Sequence, residues 1–415
     1  MSPRDMPQPP TDETPARAPL LGKPSSLPPI WLLTLLTGAG PFTMQILIPV
    51  LPAVAGHFTV PYASAQMTLT VYLIGIALGQ LIYGPLSDRF GRRPLLLAGL
   101  GVYLLASIAA ALAPTIGLLV VARAIQAAGA CAGMVMTRAM IRDVFPRDQA
   151  ASKIGFVMMG MTVAPMMAPL VGAELQSLFG WRSTMLACVA FGVLLPALVL
   201  RYLGETLREP QPLPGLAGIG GAYAALFRQH AFRCYSVVTA CSSGVFFAFM
   251  AGAPKVLVEG LGHTPRAYAI AFMSTSISFA LGSYLAGKLS VRLGVRRMLH
   301  TGLVVTTLAT GISLLTLATL PLSLVLFFAP IMLVGLGNGI SQPNSMAAAI
   351  SVQPKLAGTA SGVVGATQMA FGALMTMLTG VLETGTGFGT ALVMAACAVG
   401  AHFGLAMVDR KPART

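Results

Sequence analysis

From residue 30 onward the chain is a succession of long apolar runs broken by short polar or Pro/Gly-containing stretches. A helix needs about 20 predominantly apolar residues to cross the hydrocarbon core of a bilayer. Twelve runs meet that length, at about 30–54, 67–86, 94–113, 115–139, 153–175, 181–203, 233–257, 267–287, 298–318, 321–346, 356–381 and 386–408. Only Pro114 separates the third from the fourth, which predicts a tight hairpin. Several runs contain Gly and Pro, which membrane helices accommodate where neighbours satisfy the freed backbone groups.

The polar interruptions divide the chain. Residues 1–29 are rich in proline and cannot build a core, so a disordered cytoplasmic tail is expected there. The longest internal polar stretch, 204–232, opens with Gly204-Glu205-Thr206 and continues into an amphipathic piece through Tyr223, Leu226 and Phe227. It separates two sets of six runs, 30–203 and 233–409, with a short tail at 410–415. The two sets echo one another. Gly84-Pro-Leu-Ser-Asp-Arg-Phe-Gly-Arg-Arg93 follows the second run, and Gly287-Lys-Leu-Ser-Val-Arg-Leu-Gly-Val-Arg-Arg297 follows the eighth. A weaker echo links Gly129 and Gly133 to Gly335 and Gly339. The fold class predicted is all-α integral membrane, with 12 transmembrane helices in two pseudo-symmetric six-helix bundles. Parallel repeats of this kind are the sequence trace of transporters that rock about a central site.

Composition narrows the class. Hydrophobic residues make up 55% of the chain and charged residues only 9%, against roughly a quarter charged in soluble domains. A soluble enzyme, a disordered chain and a secreted disulfide scaffold are excluded. The net charge of +14 would point to nucleic acid in a soluble protein, but too few charges remain to build a solvated basic face. Most basic residues, among them Arg89, Arg92, Arg93, Arg142, Lys288, Arg292, Arg296, Arg297 and Arg410, fall on one side of the predicted bundle. By the positive-inside rule that side, with both termini, is cytoplasmic. The five cysteines lie in apolar stretches without Cys-x-x-Cys spacing, and the histidines are scattered, so no metal site is expected. No nucleotide-binding Gly loop or nucleophile–base pair appears, and Gly335-x-Gly337-x-Gly339 reads as close helix packing.

Some residues carry chemistry at a cost. Arg123 lies about two turns inside the fourth run, too deep for a loop anchor. An Arg at membrane depth costs at least ~2.5–3.5 kcal/mol, so it should face the bundle interior with partners. It is either part of a substrate and coupling region or a tie to backbone carbonyls. Pro165, Pro169 and Gly172 bend the fifth run, as a hinge between halves or as an incidental kink. Met158, Met159, Met161, Met166 and Met167 crowd the same run, as an adaptable wall or as filler. Asp88 stands among arginines and should be ionised and paired.

These motifs resemble those of the major facilitator superfamily over about residues 30–410. Gly84 to Arg93 is similar to its signature loop between the second and third helices. Arg123-Ala-Ile-Gln126-Ala-Ala-Gly129 resembles its Arg-x-x-Gln-Gly motif, with Ala127 where Gly is frequent. Ala164-Pro165-Met-Met-Ala-Pro169-Leu-Val-Gly172, with Leu178-Phe-Gly-Trp-Arg182, resembles the bicyclomycin/chloramphenicol-resistance branch of drug:proton antiporters. Arg138-Ala-Met-Ile-Arg142-Asp143 fits the same branch.

The resemblance implies a conformational latch of Gly84, Asp88, Arg89, Gly91, Arg92 and Arg142, with Asp88 bonding Arg142 beside the start of the eleventh helix. It also implies a first-helix carboxylate before an apolar-Pro step, where this chain has Gln45 in Thr43-Met-Gln-Ile-Leu-Ile-Pro49. Gln cannot titrate, though its amide hydrogen-bonds. Glu174 is the acid best placed to substitute. The expected cavity residues are Arg123, Gln45, Gln126, Tyr72, Glu174, Asn338 and Gln342. The function expected is export of small amphipathic compounds from a bacterial inner membrane by alternating access, with the proton gradient as energy source and no cofactor. The alternatives are a facilitator or importer of a neutral metabolite, and a non-transporting sensor or scaffold. The expected partners are a small-molecule substrate and membrane lipid, with no nucleic acid, and the protein is expected to be a monomer.

Overall fold

A computed structural model describes residues 28–145, 147–207, 216–353 and 356–409. Among the described residues there are helices and no strands. The first half comprises α1 (Ile30–Gln45), α2 (Leu51–Phe58), α3 (Tyr62–Phe90), α4 (Arg92–Ala111), α5 (Ile116–Val144), α6 (Arg147–Phe179) and α7 (Arg182–Tyr202). After α8 (Leu216–Arg228), the second half comprises α9 (His230–Lys255), α10 (Pro265–Leu293), α11 (Val295–Thr319), α12 (Leu324–Ser351), α13 (Ala357–Leu382) and α14 (Phe388–Asp409).

Eleven segments among the described residues are long and apolar enough to cross a membrane, with α1 and α2 counted as one. The twelfth crossing is α6, a helix of 33 residues, whose described apolar part is Val163–Phe179. The side chains of Met158, Met159 and Met161 lie outside the described residues, as do residues 1–27 of the proline-rich tail and residues 208–215 of the expected linker. Leu105, Leu178, Phe179, Val325, Val381 and Phe403 are between 66% and 74% exposed, a belt of large apolar side chains suited to lipid.

Successive crossings alternate in direction. One end of the bundle carries Ile30 and Asp409, the terminus-bearing end, and the other is the far end. At the far end Thr115, Thr264 and Ser323 cap α5, α10 and α12, their hydroxyls accepting from the N–H groups of Leu118, Ala267 and Leu326. Thr115 follows the short turn through Pro114, which gives the predicted hairpin between α4 and α5. Buried Glu383 closes the α13–α14 turn there. Its carboxylate accepts from the N–H groups of Gly385, Gly387 and Thr390 and from the Thr390 hydroxyl at 2.6–2.9 Å.

The two halves repeat one packing plan. In the first, α3 and α4 pack on α5, α4 on α7, and α1 on α6. In the second, α10 and α11 pack on α12, α11 on α14, and α9 on α13. The halves meet through a matched pair of contacts, α3 on α13 and α6 on α10. Gly91 (φ 93°) and Gly294 (φ 85°) occupy equivalent turns in a backbone region that only glycine enters without strain. Close backbone approaches fix the register. A Cβ on Gly129 would stand 2.6 Å from the Gly99 carbonyl, and one on Gly337 would stand 2.8 Å from the Gly302 carbonyl. Gly129 therefore matches Gly337, not Gly335 as the sequence echo has it. The same register sets Arg123 opposite Ile331.

Candidate functional site

The first crossing is not one continuous helix. Pro49 and Pro52 cannot donate backbone bonds, and α1 stops at Gln45, passes through a single 3-10 turn at Ile48–Val50 and restarts as α2. The matching seventh crossing also loosens, α9 giving way after Pro254 to a π turn at Val256–Gly260. Paired interruptions at corresponding positions of two repeats mark the usual place of a transport site.

Beside the first interruption lies a buried polar network held wholly by the first half. Arg123 is fully buried on α5. Its Nη1 donates to the Thr43 carbonyl at 3.1 Å and to Gln126 Oε1 at 2.6 Å. Its guanidinium carbon stands 4.2 Å from the centre of the Tyr72 ring, a cation–π contact strengthened by burial. The Tyr72 hydroxyl donates to the Gly40 carbonyl at 3.0 Å. Gln126 Nε2 donates to the Ser107 hydroxyl at 2.7 Å, and Thr43 and Tyr103 share a hydroxyl bond of 2.7 Å. The network thus joins α1, α3, α4 and α5 about one cation, whose Nε has no partner.

Gln45, two residues after Thr43 on α1, contacts the second half. It is 1% exposed, and its Nε2 lies 3.6 Å from Met250 Sδ on α9. Its Oε1 is buried without a partner, an acceptor whose desolvation costs about 1–3 kcal/mol. The facing surface is aromatic: Phe247, Phe249, Phe272, Phe327, Phe328 and Tyr268 pack in one cluster with Met44, Tyr72 and Met250. Phe249 stacks on Phe272 at 6.1 Å between ring centres. Asn338 is buried on α12 with Oδ1 unpartnered. Gln342 Nε2 donates to the Ser243 hydroxyl at 2.8 Å, tying α12 to α9.

Glu174 does not join this core. It stands at the far end, 41% exposed, where its carboxylate pairs at 3.0 Å with Arg266 of α10. The pair bridges the halves instead of replacing a buried proton carrier. Further polar contacts between the halves also gather toward the far end. The Tyr62 hydroxyl donates to the Ala251 carbonyl at 2.8 Å, Gln66 Nε2 to the Thr376 carbonyl at 2.5 Å, and Thr70 and Thr376 share a hydroxyl bond of 2.8 Å. Sequence reasoning missed these residues. Their signal was a polar side chain every fourth residue on one face of an otherwise apolar helix.

At the terminus-bearing end the signature loop forms an ionic cluster around Arg92. This guanidinium pairs with Asp88 at 2.6 Å and with Asp143 at 2.9 Å, and it contacts the Ser87 hydroxyl. In place of the expected bond from Asp88 to Arg142, Asp88 near the end of α3 pairs with Arg92 at the start of α4, where the Gly91 turn brings the two helix ends together. Arg142 reaches instead to the start of α13, its Nη1 3.3 Å from where a Cβ on Gly358 would stand. Glu205, also missed, receives the N–H groups of Arg92 and Arg93, each at 3.1 Å. It caps the start of α4, and a side chain on Gly91 would collide with it at 2.7 Å. A lone acid at the end of the sixth run, opposite an arginine-rich loop, was its signal. Arg89 lies over Phe90, and Gly84 has open space around it.

On α6, Pro169 and Gly172 are buried and Pro165 is half-buried. A Cβ on Gly172 would overlap the Ile46 carbonyl. Gly172 thus brings α6 against the interruption in α1, within the first half.

Comparison with known proteins agrees with this architecture. Residues 33–377 match the family model of the Major Facilitator Superfamily. The chain is 28% identical over 378 residues to a bicyclomycin resistance protein homolog of Haemophilus influenzae, covering 89% of this chain and 94% of that one. It is 30% identical over 315 residues to a chloramphenicol resistance protein of Pseudomonas aeruginosa, covering 75% and 72%. The crystal structure of a D-xylose-proton symporter superposes with a TM-score of 0.76 at 14% identity, covering 92% of this chain and 97% of that one. The chain belongs to the major facilitator superfamily, as a multi-pass membrane transporter of the bicyclomycin/chloramphenicol-resistance branch and not an enzyme.

Proposed function

We propose that the protein exports small amphipathic, neutral or weakly polar compounds across a bacterial inner membrane, with the terminus-bearing end in the cytoplasm. The observation that carries this reading is Gln45. Its amide oxygen is buried without a partner at the break in the first crossing, two residues from Thr43 of the Arg123 network, and its amide nitrogen lies against Met250 of the aromatic cluster. Such a site offers one directed hydrogen bond and an adaptable apolar wall, which suits many compounds of similar amphipathicity. The names of the two relatives, resistance proteins for bicyclomycin and chloramphenicol, support compounds of the antibiotic class.

Alternating access follows from the two repeats, with the halves closed together at the far end by Tyr62, Gln66 and Thr70. The proton gradient is the energy source we assign, without a cofactor, and the working unit we assign is the monomer, with no nucleic-acid partner. A second reading, a facilitator or importer of a neutral metabolite, is favoured by Gln45 itself, because an amide carries no proton through the cycle. A resistance and accumulation screen in a host stripped of its own pumps separates the two. Export lowers accumulation and raises resistance, whereas a facilitator or importer raises accumulation, and no change in either sinks both readings. Substrate added to de-energised proteoliposomes should move protons, and a flat pH trace rules out antiport.

A further inference from the structure

Two guanidiniums stand on α5 within the bundle, and among the described residues neither pairs with a carboxylate. Arg123 is held by neutral groups, the Thr43 carbonyl, the Gln126 amide and the Tyr72 ring. Arg138, farther along the same helix, is half-buried, and its Nε is enclosed without a partner.

The placement of the acids accounts for this. The sequence has 12 of them, and three precede α1. Asp88, Asp143, Glu205 and Asp409 stand near helix ends on the terminus-bearing side, and Glu174, Glu259 and Glu383 stand toward the far end. Asp148 falls in the first turn of α6, and Glu209 falls between α7 and α8. The middle of every crossing is therefore free of negative charge, whereas α5 carries positive charge into the interior.

Arg138 lies on the face of α5 that meets the second half. Cys131 belongs to the central apolar cluster, which both halves build, and Val135 packs against that cluster. Arg142 reaches the start of α13. Residues 131, 135, 138 and 142 follow at alternating steps of four and three, which sets them on one stripe of the helix. Arg138 thus stands between the terminus-bearing mouth and the aromatic centre. The mouth is itself positive. The N-terminus of α13 has no side-chain cap and no acid in its first turn, so its partial positive charge adds to that of Arg142.

A cleft lined by one sign of charge gathers ligands of the other sign and repels its own. A buried cation without a counter-charge is strongly destabilising, and a cargo with a carboxylate brings the absent partner, which a guanidinium can hold by two parallel bonds. A cationic cargo meets repulsion alone, because Gln45 supplies no negative charge to offset it.

We propose that the path between the halves selects amphipathic weak acids, bound as anions, that it rejects cations, and that Arg138 is the residue that discriminates between them. This rests on the transporter reading above and narrows its weakly polar cargo to compounds that ionise by losing a proton. It is independent of the direction of transport.

Calorimetric titration of the intact detergent-solubilised protein at neutral pH tests it, with naphthylacetate, naphthylacetamide and naphthylethylamine as probes. These share one aromatic body and carry a negative, a neutral and a positive group. The acid should bind at least about tenfold more tightly than the amine, with the amide between them. Arg138→Gln should weaken the acid about tenfold and leave the amide within about twofold. Arg138→Lys, which keeps the charge and loses the fork, should preserve the order with a loss of about threefold for the acid. Arg201→Gln, on the exposed surface at the same end, should change none of the three. Equal binding of acid and amine, or binding of none of the probes, overturns the proposal, and an equal loss of acid binding in Arg201→Gln overturns the assignment to Arg138. Should Arg138→Gln fail to fold, the wild-type order and Arg138→Lys carry the same comparison. Acid-selective binding with no movement of the acid in cells refutes export alone, whereas export of the amine as readily as the acid refutes the charge selection alone.

Discussion

Arg123 of α5 and Ile331 of α12 occupy the same place in two halves built on one plan, and they share nothing chemically. The first half spends its interior on a cation bonded to Thr43 and Gln126 and laid on Tyr72. The second surrounds Ile331 with phenylalanines. The lesson is that repetition of backbone packing does not require repetition of chemistry. Glycine contacts such as Gly99–Gly129 and Gly302–Gly337 preserve the scaffold, which leaves the positions facing the centre to diverge into a polar and an apolar wall.

The sharpest way to break this comparison is to exchange the two. Arg123→Ala should abolish transport with the protein still inserted, since it removes two charge-assisted bonds of about 1.5–3 kcal/mol each. Uptake or efflux in proteoliposomes reads it, and normal rates would reduce Arg123 to a structural tie. Ile331→Arg should fail at the level of membrane yield, because no described acceptor awaits the cation there.

The ionic corners give the next effect. Arg92→Ala should lower transport at least about tenfold, through loss of its bonds to Asp88 and Asp143, each a charge-assisted contact. Arg297→Ala should leave the rate within about twofold, since an exposed charge contributes little to the fold. Equal losses in a matched transport assay would erase the difference between the corners.

A subtler probe is Gln45→Asp. A carboxylate at this buried seam should add a pH-dependent limb to the transport rate, which a pH series from acid to neutral would register. An unchanged profile would remove Gln45 from the transport path. The smallest effect belongs to Glu174→Gln. An exposed ion pair is worth about 0–1 kcal/mol, so the Tm in detergent should hardly move, and what change there is should vanish at high salt. A large loss would mean the Arg266 pair does more than fasten the surface.

Much of this was readable in advance. Apolar run lengths located the crossings, and the repeated loop located the halves, because both follow from bilayer thickness and backbone sterics. The burial of Arg123 was readable for a similar reason, as an unpaired cation in hydrocarbon is too costly to leave exposed. Partner choice was not. Asp88 turned to Arg92 rather than Arg142, Glu205 reached back across the chain to cap α4, and Glu174 crossed to Arg266. Each depends on which helix ends meet in space, which one-dimensional spacing does not encode. The break at Gln45 had a signal in Pro49 and Pro52, but an uninterrupted run of apolar residues concealed it.

The seam at the far end has an energetic consequence. Tyr62, Gln66 and Thr70 hold the halves with neutral amide and hydroxyl bonds, each worth about 0.5–1.5 kcal/mol net. Releasing them costs a few kcal/mol, and water entering the seam repays part of that. A shift from mostly closed to mostly open requires a ligand to favour one state by about 5.5 kcal/mol. Closure by weak neutral bonds and the exposed Glu174–Arg266 pair therefore keeps the cost of opening within what one bound compound supplies by favouring the open state.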